Sequence, residues 1–280
     1  MRRPGLLAAL LGLRRPGQGG GDEALELPAG VLAEHDRPYG PHAIQRMDIY
    51  HAPAQTPRGL ILLVHGGGWQ RGDKGMARLV QHKLAHWVPR GWVLASVDYR
   101  LQPEADPLAQ AGDVALALAH LQQHAAVWRL DPARAVLMGH SAGAHLVALL
   151  AADATLATAQ GASPWCATVA IDSGAYDVPA LMQGRHLPLF DQAFGDDPVQ
   201  WAAASPLHRL SAAPKAPLLL VCSGRRAESG ASARAFAERV QALGGRAQVL
   251  AVDWGHLQIN EQLGLDPAYT AAVDRFLDEL

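Results

Sequence analysis

An alternation of short apolar segments with helical patterns constrains this chain more than any other feature of its sequence. Residues 60–64, Leu-Ile-Leu-Leu-Val, form a continuous apolar run suited to a strand covered on both faces. Met76, Leu79, Val80, Leu84 and Trp87 then recur at helical spacing and stop at Pro89-Arg90-Gly91. The same exchange repeats: strands at 92–97, 135–138, 167–171, 218–222 and 247–252, and helices at 113–122, 142–153, 231–243 and 267–277. An earlier segment, 44–50, alternates apolar and polar residues as a half-buried strand does. Repeated strand–helix units imply a mostly parallel sheet sandwiched between helices. The pattern carries no internal repeat and no second core, so residues 31–280 are expected to form one α/β domain.

The balance of 24 basic against 26 acidic residues, with no basic run, argues against duplex binding, which needs clustered Lys and Arg to displace counterions. The sequence lacks an apolar run long enough to cross a membrane as a helix. Two cysteines cannot build a disulfide framework, and no spacing of Cys or His suggests zinc. Cys166 and Cys222 fall at opposite ends of neighbouring predicted strands, about 15 Å apart, so both are expected to stay reduced.

Residues 1–30 read as a flexible leader. Met1-Arg2-Arg3 and the apolar stretch 6–13 faintly resemble a secretory signal, but Arg14-Arg15-Pro16 follows without a small-x-small cleavage site. A cytoplasmic location is expected, with export left open. Residues 173–212 are the other irregular stretch, carrying Leu181, Met182, Leu187, Leu189, Phe190 and Phe194 with no clean period. A loop this long inside a domain is usually functional, and a small cap over the carboxyl edge of the sheet is expected.

The chemistry concentrates in Gly139-His140-Ser141-Ala142-Gly143, which lies between a predicted strand and a predicted helix. A serine at such an elbow takes a strained turn that only small neighbours permit, with its Oγ held clear of the sheet at a helix N-terminus. A second signal, His65-Gly66-Gly67-Gly68-Trp69, ends the first buried strand. Acyl transfer develops an oxyanion, and backbone N–H groups can reach it only where no side chain intervenes. A phosphate-binding loop is excluded there, because Asp73, not Lys, follows Gly72.

Of the histidines after the serine, His145, His186, His208 and His256, only His256 sits between a predicted strand and the final helix. It is therefore the expected base. His145 reads as packing behind the serine and His140 as a spacer. The acid should follow the strand at 218–222, where Glu228 is the first carboxylate. Asp172, Asp177 and Asp253 remain rivals.

With Asp98-Tyr99-Arg100-Leu101 and Gly255-His256, these motifs resemble those of α/β-hydrolases. The likeness is to the esterase branch that includes hormone-sensitive-lipase-like carboxylesterases, feruloyl and acetyl-xylan esterases and kynurenine formamidases, over roughly residues 38–280. The resemblance implies the α/β-hydrolase fold, an oxyanion hole from the N–H groups of Gly67, Gly68 and Ala142, and an Asp98-Tyr99-Arg100 segment bracing that loop. It departs from relatives at Arg225-Arg226, where they often already show the acid. The expected activity is a serine carboxylesterase on short-chain or aryl esters, with Ser141, Glu228 and His256 as the triad. No metal or organic cofactor is implied, and the expected partner is a small-molecule ester. An arylformamidase-like amidase and a noncatalytic ligand-binding homologue are the alternatives.

Overall fold

The continuous apolar strands are explained by two cores, one on each face of a single sheet. Successive residues of β3 (Gly59–Val64) point alternately to them: Leu60, Leu62 and Val64 join one apolar cluster, Ile61 and Leu63 the other. A strand buried on both faces has no polar side to show, which is why the sequence does not alternate there. The computed structural model describes residues 25–280; the question of an export signal falls outside them, as does most of the expected leader.

The sheet has eight strands: β1 (Leu32–Pro38), β2 (Arg46–His51), β3, β4 (Trp92–Val97), β5 (Ala135–His140), β6 (Ala167–Ile171), β7 (Leu218–Ser223) and β8 (Ala247–Val252). Their spatial order is β1-β2-β4-β3-β5-β6-β7-β8. β1 and β2 pair antiparallel, β2 meets β4 antiparallel, and every later pairing is parallel. Helices α1 (Ala77–Trp87) and α2 (Pro107–Gln123) follow β3 and β4, and α3 (Ala142–Ala152) with the short α4 (Thr155–Thr158) follows β5. Between β6 and β7 come α5 (Val178–Gln183), α6 (Pro188–Phe194), α7 (Pro198–Ala203) and α8 (Pro206–Arg209). The chain closes with α9 (Ala227–Ala242), α10 (Gln258–Gln262) and α11 (Pro267–Asp278). This is the α/β-hydrolase fold, a mostly parallel sheet flanked by helices.

The connections after β3 and β5 leave in opposite directions along the sheet, since β4 lies on one side of β3 and β5 and β6 on the other. A crevice opens at the carboxyl ends of strands where the winding reverses in this way, and the glycine loop and Ser141 both lie there.

Two parts of the sequence reading are corrected. β1, Leu-Ala-Glu-His-Asp-Arg-Pro, is a largely exposed edge strand, so it carries no apolar alternation to find it by. The stretch 173–212 is built of helices, not an aperiodic loop. Each has proline at its first turn, and Asp177 and Asp197 cap two of them by accepting the N–H of Ala180 and Val199. Asp before Pro is a helix-start signal that periodicity over six residues cannot supply. Both cysteines are free, Cys222 buried and Cys166 partly so. Among the described residues, no helix is long and apolar enough to cross a membrane.

Candidate active site

Ser141 stands between β5 and α3 with φ 56° and ψ −116°, a backbone region that side chains other than glycine seldom occupy. The turn is possible because its neighbours are glycines. A Cβ on Gly139 would strike the backbone of Gly143, and one on Gly143 would strike the Val64 carbonyl at the end of β3. The elbow is thereby pressed against the glycine loop. In that loop Gly67 has φ 126° and Gly68 φ 63°, and Trp69 follows at φ 62°.

The loop is fixed from several sides. The Tyr99 hydroxyl donates to the His65 carbonyl (2.8 Å), and the tyrosine ring stacks on the imidazole with centroids 4.3 Å apart. Gln110 Nε2 and the Gln102 N–H both donate to the Trp69 carbonyl, at 2.8 and 3.0 Å. The Asp98 carboxylate takes the N–H of Lys74 at 2.7 Å, and Arg100 forms a forked pair with the buried Asp113. Trp69 itself is buried; its indole N–H donates to His145 Nδ1 (3.2 Å), and Phe194 packs on its ring with centroids 4.9 Å apart. Leu189 of α6 covers the loop, close enough that a Cβ on Gly68 would sit 3.7 Å from its Cδ1.

His256 reaches this corner from the loop after β8. Its Nε2 lies 2.9 Å from Ser141 Oγ and its Nδ1 2.6 Å from Asp172 Oδ2. Asp172 directly follows β6, with φ 56°, and its side chain is wholly buried. Burial alone would raise its pKa, but the hydrogen bond and charge of His256, the charge of Arg226 and the Ser229 hydroxyl together hold it well below the usual carboxylate range. An ionised carboxylate only accepts, so the imidazole proton resides on Nδ1 and the Nε2 lone pair faces Ser141.

The carboxylate at His256 is therefore Asp172 and not Glu228. β7 ends at Ser223, and the chain turns through Arg225 and Arg226 before α9 begins at Ala227. That puts Glu228 in the first turn of α9 with its side chain 72% exposed, where among the described residues it pairs only with Arg226 Nε at 3.4 Å. Helix α9 starts four residues earlier than the apolar pattern indicates, and this turns Glu228 outward. Of the other rivals, Asp253 is 87% exposed and pairs with Arg225, while Asp177 caps α5.

A family model for BD-FAE proteins matches residues 47–169, the segment that holds the glycine loop and Ser141. Esterase LipQ of Mycobacterium tuberculosis is 29% identical over 227 residues, 75% of this chain and 53% of its own. A probable isoprenylcysteine alpha-carbonyl methylesterase of Arabidopsis thaliana is 32% identical over 111 residues, 39% of this chain. The chain spans 23% of the length of that relative. Among solved structures, esterase B from Lactobacillus rhamnosis superposes with a TM-score of 0.73 at 19% identity, over 91% of this chain and 87% of that one. This chain has the α/β-hydrolase fold and is similar in sequence to esterases.

Within this fold, several residues at the site carry no sequence signal of their own. The Ser223 N–H donates to Asp172 Oδ1 at 2.9 Å, and the Ser229 hydroxyl donates to the same oxygen. Arg226 Nη1 donates to Oδ2 at 2.9 Å. His140, read as a spacer, holds the loop of His256 through Nε2 and the His256 carbonyl, 2.8 Å apart. Behind the serine, His145 Nε2 donates to the Ala204 carbonyl (2.7 Å), which joins α3 to the segment between β6 and β7. The helix after His256 is anchored as well. Lys83, buried on α1, donates to the main-chain and side-chain oxygens of Asn260 at 2.7 and 3.0 Å, and burial pushes its pKa down to about 7.

Burial also pushes three histidines around the site down, His65 to about 4, His140 to about 3 and His145 to about 4. They fold neutral and charge readily only when unfolded, so their stabilising effect is intact above about pH 6.5 and is lost as pH falls toward 4. With all three titrating, the slope should approach about 4 kcal/mol per pH unit. Urea unfolding midpoints are expected to drop steeply between pH 6.5 and 5. A flat profile there would mean that these imidazoles are charged in the native state.

Proposed function

We propose that this chain is a serine carboxylesterase that hydrolyses short-chain or aryl carboxylic esters through an acyl-enzyme. The observation that carries the reading is the unbroken run from Ser141 Oγ to His256 Nε2 (2.9 Å) and from Nδ1 to Asp172 (2.6 Å), set beside the glycine loop. Oγ attacks the ester carbonyl carbon while Nε2 takes its proton. The oxyanion formed accepts from the N–H groups of Gly67, Gly68 and Ala142, none of which donates to a protein acceptor among the described residues. The imidazolium returns the proton to the leaving alcohol oxygen, and the acyl group stays on Ser141. Water then attacks the acyl carbon, His256 takes its proton, and collapse releases the acid and restores the serine. The ester-cleaving names of the relatives support the same reading.

The short-chain preference rests on α6. Leu189 overhangs Gly68, and Gln102 Nε2 ties the helix down at the Ala193 carbonyl, 3.0 Å away. Phe194 is wedged against Trp69 and His145. Nitrophenyl acetate or butyrate should give a clearly higher kcat/KM than the decanoate, and the reverse order would refute this preference. No observation favours the formamidase alternative: Trp69, the residue after the three glycines, is 2% exposed and its N–H is engaged by His145. A fluorophosphonate probe should leave its adduct on Ser141 of the folded protein. Failure to label would favour a noncatalytic binding protein.

A further inference from the structure

The stretch from the last residue of β7 to the first turn of α9, where the sequence places the acid, supplies instead three donors to an acid just after β6. Ser223, Arg226 and Ser229 all belong to this segment and all point at Asp172. Oδ1 accepts from the Ser223 N–H and the Ser229 hydroxyl, and Oδ2 accepts from His256 and Arg226. Two donors thus converge on one oxygen, which leaves Arg226 Nη1 2.8 Å from His256 Nδ1. That contact is not itself a hydrogen bond, because Nδ1 carries the proton that Asp172 accepts.

We infer that Arg226 is a positioning residue that fixes the Asp172 carboxylate, and through it the orientation of His256. The inference rests on the proposed nucleophile and base. Arg226 side-chain exposure is 26% while that of Asp172 is 0%, so the guanidinium lies between the buried pair and solvent. Its backbone is extended at φ −130°, the residue just before α9, which aims the side chain back over the end of β6. Glu228 Oε1 lies 3.4 Å from Nε and steadies the opposite side of the guanidinium. Arginine suits this place: its planar fork can bond the carboxylate with one nitrogen while another faces a second anion. Its charge would by itself oppose turnover, since the imidazolium formed at His256 stands beside a second cation. The contribution assigned to Arg226 is therefore geometric.

The test compares R226M, which keeps an apolar stem of similar reach, with R226K, which keeps the charge and a donor. Each is assayed on nitrophenyl acetate, alone and combined with D172N. R226M should lower kcat by roughly ten- to hundredfold, the range for a lost charge-assisted hydrogen bond, while KM changes less than about threefold. R226K should recover much of the loss. The D172N/R226M double variant should be no slower than D172N, because Arg226 acts only through that carboxylate. A merely structural role would lower thermal stability and multiply with D172N. R226M turnover within about twofold of the parent, or faster, would overturn the inference, as would fully multiplicative losses. Should R226M fail to fold, R226K and R226Q carry the same comparison. Fluorophosphonate labelling separates the two levels. An unlabelled parent protein would overturn the esterase reading itself, whereas equal labelling rates for parent and R226M would overturn only the role of Arg226.

Discussion

Ser141→Ala is expected to abolish measurable turnover and leave the fold as it is. The substitution removes Oγ alone, and alanine takes the φ 56° turn no less readily than serine. The neighbours that make the turn possible, Gly139 and Gly143, are untouched. Residual catalysis would come from the N–H donors of the glycine loop and from binding, on the order of 10³-fold over water. Circular dichroism and the unfolding midpoint should match the parent protein. A purified variant that kept even a tenth of the parent kcat would show that another group is the nucleophile.

Asp172→Asn should be nearly as damaging, lowering kcat by roughly 10⁴ with little change in KM. Asparagine fits the space, but its amide nitrogen can donate to Nδ1. The imidazole proton would then move to Nε2 and face Ser141, where the nucleophile needs a lone pair. The substitution also strands Arg226, whose Nη1 bonds Oδ2 at 2.9 Å. Glu228→Gln, at a side chain 72% exposed, should change kcat by less than about twofold. Crippled turnover in E228Q with an active D172N would exchange their roles and leave Ser141 and His256 where they are.

Most of the fold is legible in the sequence because its core strands are covered on both faces. Runs such as Leu60 to Val64 have one physical reading when helical patterns alternate with them. β1 is not legible, since an exposed edge strand is held by pairing with β2 and not by apolar burial. Ser141 and the glycine loop stand out because close backbone approach demands glycine in a fixed spacing. The acid is harder. Asp172 and Glu228 both lie between Ser141 and His256 in the chain, and order alone cannot separate them. What separates them is distance from a strand end: Asp172 is the first residue after β6, while five residues lie between Ser223 and Glu228 when Glu228 is counted. A residue directly after a strand is aimed by the sheet, whereas one inside a helical turn is aimed by the helix. Ser229 carries no signal, and Arg226 stands out only as a departure from relatives, because their significance exists only once β6 and β7 lie side by side.

The left-handed turn at Ser141 has a consequence for how this chain can change under selection. A non-glycine residue held at φ 56°, ψ −116° costs on the order of 1–3 kcal/mol. Glycine at that position would relieve the cost and discard the proposed nucleophile in one step. Function here is therefore maintained against a standing thermodynamic incentive. A laboratory evolution campaign scored on heat resistance alone would be drawn to the one codon that the chemistry can least spare.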